Sequence, residues 1–136
     1  MDTRAPIRPT DLHSRRAQLT AGPNAVAEAR HQVQAAITAW DVPVDPDIAA
    51  LLTSELVTNA IKHGGGLIDV ALTLAPPSLR ILVHDQGRGS VAMIDARPDD
   101  LHGRGLHIVA KLSEEWGTSA DTTKRGNSVW ATFRIS

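Results

Sequence analysis

The sequence contains no cysteine, which excludes disulfide bonds, thiolate metal sites and a cysteine nucleophile. It also lacks any run of about eighteen apolar residues, and the basic N-terminal segment has no apolar core of the kind found in signal peptides. An excess of one charge sign is missing too, since 14 Lys and Arg against 15 Asp and Glu leave a net charge of -1. These absences favour a cytoplasmic protein that binds neither nucleic acid nor membrane.

The chain has 136 residues, enough for one domain with a buried core. Residues 1–18 include Pro6 and Pro9 and show no regular apolar spacing. We therefore predict a flexible N-terminal segment over residues 1–18 and a single domain over residues 19–136.

Apolar spacing and punctuating residues predict the elements of that domain. One helix should begin at Ala21-Gly22-Pro23 and end before Pro43, and a second should run from Asp45-Pro46 to the glycines at 64–66. Alternating apolar residues predict two strands around the Pro76-Pro77 turn and a last strand over residues 129–135. The polar segment 90–104 predicts a lid loop, and Gly105 should open a third helix that reaches Trp116.

The order of these elements indicates the fold class. Helices and hairpins mix without a strict alternation of strand and helix, which argues against a doubly wound parallel sheet. We expect an α+β two-layer sandwich, in which a mixed sheet is covered on one face by about three helices.

The second helix carries the most informative polar residues. At about 100° per residue, Glu55 and Asn59 fall within about 20° of Ile48, between Leu51 and Leu52, on a stripe that we expect to face the core. An unpaired buried polar group costs about 1 to 3 kcal/mol, so something polar should lie opposite these side chains. A metal ion with phosphates would satisfy them, and so would neighbouring protein groups; the helix alone favours neither explanation.

Two turns that contain glycine accompany this helix. Asp85 ends a strand in the segment VHDQGRG, where its carboxylate could accept a hydrogen bond from an exocyclic amine such as that of adenine, or could cap its own turn. Gly103-Arg104-Gly105 precedes the third helix, whose free N–H groups and positive dipole end can bind an anion. Each turn has an ordinary structural explanation, but the order and spacing of all three features favour a nucleotide site.

The three motifs are those of a known family. ExxxN on a helix, DxGxG after a strand and GxGL at the next helix resemble the Bergerat-fold (GHKL) ATPases, which include gyrase, Hsp90, MutL and histidine kinases. From about residue 20 onward, LLTSELVTNAIKHGG, VHDQGRG, HGRGLHIVAKLSEEWG and GNSVWATF are similar to the anti-sigma-factor serine/threonine kinases. From the chain length we expect neither the dimerising helices of a histidine kinase nor the transducer domain of a gyrase.

The resemblance implies roles for individual residues. Asn59 would bind Mg²⁺ and the nucleotide, Glu55 would act as the general base, and Asp85 would bond the adenine amino group. The further nucleotide contacts implied by the family fall on Lys62, His63, Gly87, Gly89, Gly103, Arg104, Gly105, Leu106 and, through water, Ser128.

The resemblance also implies a function and partners. The chain would bind ATP and Mg²⁺ and phosphorylate a serine or threonine of an anti-anti-sigma protein. A sigma factor and a second copy of the chain are further expected partners. The alternative is a non-catalytic ATP-binding module that regulates its partner by sequestration, and transfer of labelled phosphate to a partner serine would separate the two.

Overall fold

The computed structural model describes residues 12–63, 66–86, 108–109, 111–120 and 126–135. In chain order the elements are β1 (His13–Thr20), α1 (Pro23–Ala39), α2 (Pro46–His63), β2 (Leu67–Ala75), β3 (Ser78–Asp85), β4 (Glu115–Ala120) and β5 (Asn127–Arg134). The strands form a five-stranded sheet in the order β1-β2-β3-β5-β4. The α+β arrangement is thus confirmed, but every pairing among the described strands is antiparallel, whereas we expected a mixed sheet.

Local residue chemistry explains where α1 begins and ends and where α2 begins. Pro23 occupies the first turn of α1, where its missing N–H leaves no hydrogen bond unmade. At the other end, Asp41 has a φ of 52° and turns the chain out of the helix. Before α2, the Asp45 carboxylate accepts the backbone N–H of Asp47 at 2.9 Å and so caps the new helix.

The core lies between the two helices and one face of the sheet. On α2 the fully buried residues include Leu52, Leu56 and Val57, which recur at helical spacing. The sheet contributes the alternate residues of its central strands to the same cluster, namely Ile68, Val70, Leu72, Leu79, Ile81, Val83, Val129 and Ala131. This period of two fixes which side chains of β3 and β5 point toward the helices.

The other face of the sheet carries polar and aromatic side chains beside the buried Ala71 and Leu82. The guanidinium carbon of Arg80 lies 5.2 Å from the ring centroid of Trp130, within cation–π range. The indole of Trp130 also covers Gly117, since a Cβ placed at Gly117 would lie 2.6 Å from Trp130 Cζ2. The glycine therefore makes room for the ring.

Two strands differ from the sequence-based expectation. β1 (His13–Thr20) begins inside the predicted flexible segment 1–18 and pairs with β2 along its whole length. β4 contains Trp116, which we had placed at the end of a third helix. Residues 108–109 and 111–112 are helical, while the expected start of that helix at Gly105 and the expected lid lie outside the described residues.

Neither helix in the described part of the chain combines the length and the apolar character needed to span a membrane.

Candidate functional site

Three polar chain segments meet at one end of the sheet. α2 ends at His63 and β2 begins only a few residues later at Leu67. Ile68 of β2 pairs with Asp85 at the end of β3, and Asp85 pairs in turn with Asn127 at the start of β5. The last turns of α2 and the polar ends of β3 and β5 therefore lie at the same end of the molecule.

Asp85 is a buried carboxylate at this end, with only 2% of its surface exposed. Strand alternation places it on the same face as Ile81 and Val83, which belong to the core under the helices. Charged side chains are rarely fully buried, because a buried charge must be compensated. Its position beyond the last apolar residues of β3 fits the predicted contact with adenine.

Asn59 is buried as well, with 7% of its surface exposed. Within the described part of the chain, its Nδ2 atom has no hydrogen-bond partner. A buried amide left in this state costs about 1 to 3 kcal/mol, so the position suits a residue that a ligand completes. A half-turn of the amide exchanges its nitrogen and oxygen, and the side chain can thus present an acceptor oxygen to a metal ion.

Glu55 lies one turn before Asn59 and is partly buried. Asn59 is buried as we expected, but Glu55 is less buried than expected, and Ile48 and Leu51 on the same line are 40% and 44% exposed. The stripe follows the margin of the buried face of α2, and the burial increases toward Asn59. Glu55 is therefore reachable from solvent.

The start of β5 separates two neighbouring polar residues onto opposite faces. Asn127 pairs with Asp85, whereas Ser128 pairs with His84, and directly paired residues share a face. The Ser128 hydroxyl lies 2.9 Å from Nδ1 of His84, on the face away from Asp85. This placement does not favour the predicted water-mediated contact between Ser128 and adenine, which stays a prediction.

Asn127 is the residue that our sequence analysis missed. It is 6% exposed and stands beside Asp85 on the face that the helices cover. The sequence contained a signal for it, because Val129, Ala131 and Phe133 alternate on the apolar face of the last strand. Extending that alternation by one step reaches Asn127 and passes over Ser128.

Gly126 holds the end of β3 against the start of β5. Its φ of +140° belongs to glycine. A Cβ at this position would overlap the backbone oxygen of Asp85 and would lie 2.5 Å from Cε1 of His84. The glycine thus lets the two strand ends come close enough for Asp85 and Asn127 to pair.

The other predicted nucleotide contacts are less defined. Lys62 is exposed on the last turn of α2. The side chain of His63 and the whole of Gly87, Gly89, Gly103, Arg104, Gly105 and Leu106 lie outside the described residues. Their contacts stay predictions.

A metal ion at this site would depend on ligands from a bound nucleotide. Among the described residues, no three His, Asp or Glu side chains are grouped so as to hold a metal ion. Mg²⁺ does not require such a group, since it commonly binds one or two protein oxygens together with phosphates and water. Asn59 at the end of the α2 stripe fits that kind of site.

Comparison with protein families assigns the chain to a family. The family model of the histidine kinase-like ATPase domain matches residues 19–133. The chain belongs to this family. The histidine kinase-like ATPase domain binds ATP, and the buried polar residues Asn59 of α2 and Asp85 of β3 belong to two of the three predicted motifs; the third, at residues 103–106, lies outside the described residues. We found no significant match among curated proteins.

Proposed function

We propose that this histidine kinase-like ATPase domain is a serine/threonine kinase of the anti-sigma-factor type. It would use Mg-ATP to phosphorylate an anti-anti-sigma protein. The support is the resemblance of its motifs to that branch, together with the family membership of residues 19–133. A second copy of the chain and a sigma factor belong to the proposal as further partners.

One observation carries the proposal most strongly. The buried Asn59 amide has an atom that no described protein group satisfies, and a carboxylate lies one helical turn away on the side that solvent reaches. A helix that only packed on the core would not require an amide and a carboxylate at these two positions. A phosphate-bearing ligand beside Asn59 and an acceptor hydroxyl beside Glu55 would explain both positions.

The chemistry follows from the residue types. Glu55 would accept the proton of the acceptor hydroxyl. The oxygen of that hydroxyl would form a bond to the γ-phosphorus, and the bond from this phosphorus to the bridging oxygen of ADP would break. When bound, Mg²⁺ would neutralise charge on the phosphate oxygens. Asn59 would position the ion, and Asp85 would orient the nucleotide by accepting a hydrogen bond from the adenine amino group.

The test is direct transfer. The protein is incubated with ATP labelled in the γ-phosphate, Mg²⁺ and the purified anti-anti-sigma-type protein of the same cell. The label should appear on a serine or threonine of that acceptor. Tight ATP binding with complex formation but without any label on the acceptor would favour the non-catalytic module that acts by sequestration.

A further inference from the structure

An exposed apolar pair lies next to the proposed general base. Ile48 and Leu51 are 40% and 44% exposed, although they are large apolar residues in a helix that packs on the core. Scattered exposed leucines need no explanation, but these two lie on the line of α2 that continues to Glu55. We call Ile48 and Leu51 the α2 apolar pair.

The α2 apolar pair lies closer to Glu55 than the radius of an ordinary protein interface. Leu51 and Ile48 precede Glu55 by four and seven residues, or about 6 Å and 10 Å along the helix axis. A partner in an ordinary interface covers about 800 Å² of each surface, which corresponds to a disc with a radius of about 16 Å. A protein that brings a hydroxyl group to Glu55 would therefore cover the apolar pair.

The charge around the pair points to the chemistry of that protein. Along the chain, residues 31–61 contain Asp41, Asp45, Asp47 and Glu55 and no lysine or arginine, and Arg30 and Lys62 flank this stretch. The three aspartates are exposed at the start of α2 and in the turn before it. A partner with basic side chains around an apolar centre would complement this surface, as interfaces with an apolar core and a polar rim do.

From these observations we infer that the α2 apolar pair is the docking surface for the protein substrate. An apolar side chain close to the acceptor serine or threonine would pack on Ile48 and Leu51, and basic side chains of the substrate would face Asp41, Asp45 and Asp47. This inference rests on the proposed kinase function. It adds how the acceptor hydroxyl is brought to Glu55.

The test uses the acceptor protein that is labelled in the transfer assay. In the double variant Ile48→Gln/Leu51→Gln, the new side chains are polar and suit a helix, so the fold should persist. The KM for the acceptor should rise about 10- to 50-fold, because both side chains lose the apolar area that docking would bury. The Kd for ATP should stay within about twofold, since neither residue belongs to the nucleotide site.

Two further variants sharpen the test. Leu12→Gln is the control for the loss of an exposed apolar side chain outside α2, because Leu12 is 63% exposed and precedes β1; its acceptor KM should not change. Asp41→Asn removes one charge while keeping a residue type that tolerates the positive φ of this position. Its acceptor KM should rise modestly and depend less on salt.

The possible results distinguish a failure of the docking surface from a failure of the kinase function. An acceptor KM within about twofold of the wild-type value in the double variant would overturn the docking surface and leave the kinase function intact. An equal rise in the acceptor KM of Leu12→Gln would also overturn the docking surface. If the wild-type protein labels no acceptor, the kinase function fails and the docking inference fails with it.

Discussion

Replacing Gly126 with alanine should weaken the fold and ATP binding together. The backbone at Gly126 has a φ of +140°, and an added Cβ would overlap the Asp85 carbonyl oxygen and approach Nε2 of His84 to 2.7 Å. The carbonyl belongs to the backbone of a central strand that is paired on both sides. It cannot move without disturbing the pairing that places Asp85 beside Asn127.

The size of the effect follows from two contributions. The positive φ costs a residue with a side chain about 1 to 3 kcal/mol, and the overlap with rigid neighbours costs about another 1 to 3 kcal/mol. We expect the free energy of unfolding to fall by about 2 to 6 kcal/mol, so that Tm falls by at least about 6 °C in a domain of this size. The Kd for ATP should rise at least about tenfold.

Thermal unfolding with and without Mg-ATP measures both quantities, and Gly117→Ala is the control. The three atoms nearest to a Cβ at Gly117 all belong to the Trp130 side chain, with Cζ2 at 2.6 Å, on the face of the sheet away from Asp85. This variant should lose about 1 to 3 kcal/mol and keep its affinity for ATP. Wild-type Tm and Kd in Gly126→Ala would refute the reasoning, and so would an equal loss of affinity in both variants.

Three further predictions concern α2. Asn59→Ala should abolish the part of ATP binding that depends on Mg²⁺, and titration calorimetry with and without Mg²⁺ that finds unchanged affinity would contradict this. Glu55→Ala should keep the Kd for ATP and lower transfer by about 10²- to 10⁴-fold; transfer at the wild-type rate would rule Glu55 out as the base. Leu56→Ala, at a fully buried position, should cost about 2 to 5 kcal/mol in urea unfolding, and a loss below about 1 kcal/mol would contradict its place in the core.

The sequence predicted those elements whose local signals agree with their packing. Pro23, Asp45 and the Pro76-Pro77 turn mark boundaries that the structure confirms within a residue or two. β1 was missed because it is an edge strand in which only Ala17 and Leu19 are apolar, so its alternation is short. An edge strand is recognised through the neighbour it pairs with, and that pairing is not visible in local sequence.

β4 was missed for a related reason. Trp116 continues the helical spacing of the residues before it, and Gly117 interrupts any strand pattern. The pairing of Gly117 with Trp130 explains both residues, since the glycine accommodates the indole. This long-range contact overrides the local helical period.

For the site residues, the sequence predicted the place along the chain better than the face of the helix or strand on which each side chain lies. Asp85 could be placed at the end of its strand because the apolar alternation of β3 is strong. Glu55 was placed too deep, since a helical wheel gives the angle between residues but not the angle at which the helix meets the sheet. Buried and exposed residues of α2 could be separated only once α1 and β3 were in place around it.

The central claim is that the α2 stripe and the end of β3 hold Mg-ATP between them. A crystal structure with Mg²⁺ and a non-hydrolysable ATP analogue tests it most directly. The account predicts the adenine amino group on the Asp85 carboxylate, the metal ion beside the Asn59 amide and the γ-phosphate within reach of Glu55. A nucleotide bound away from these three side chains would contradict it.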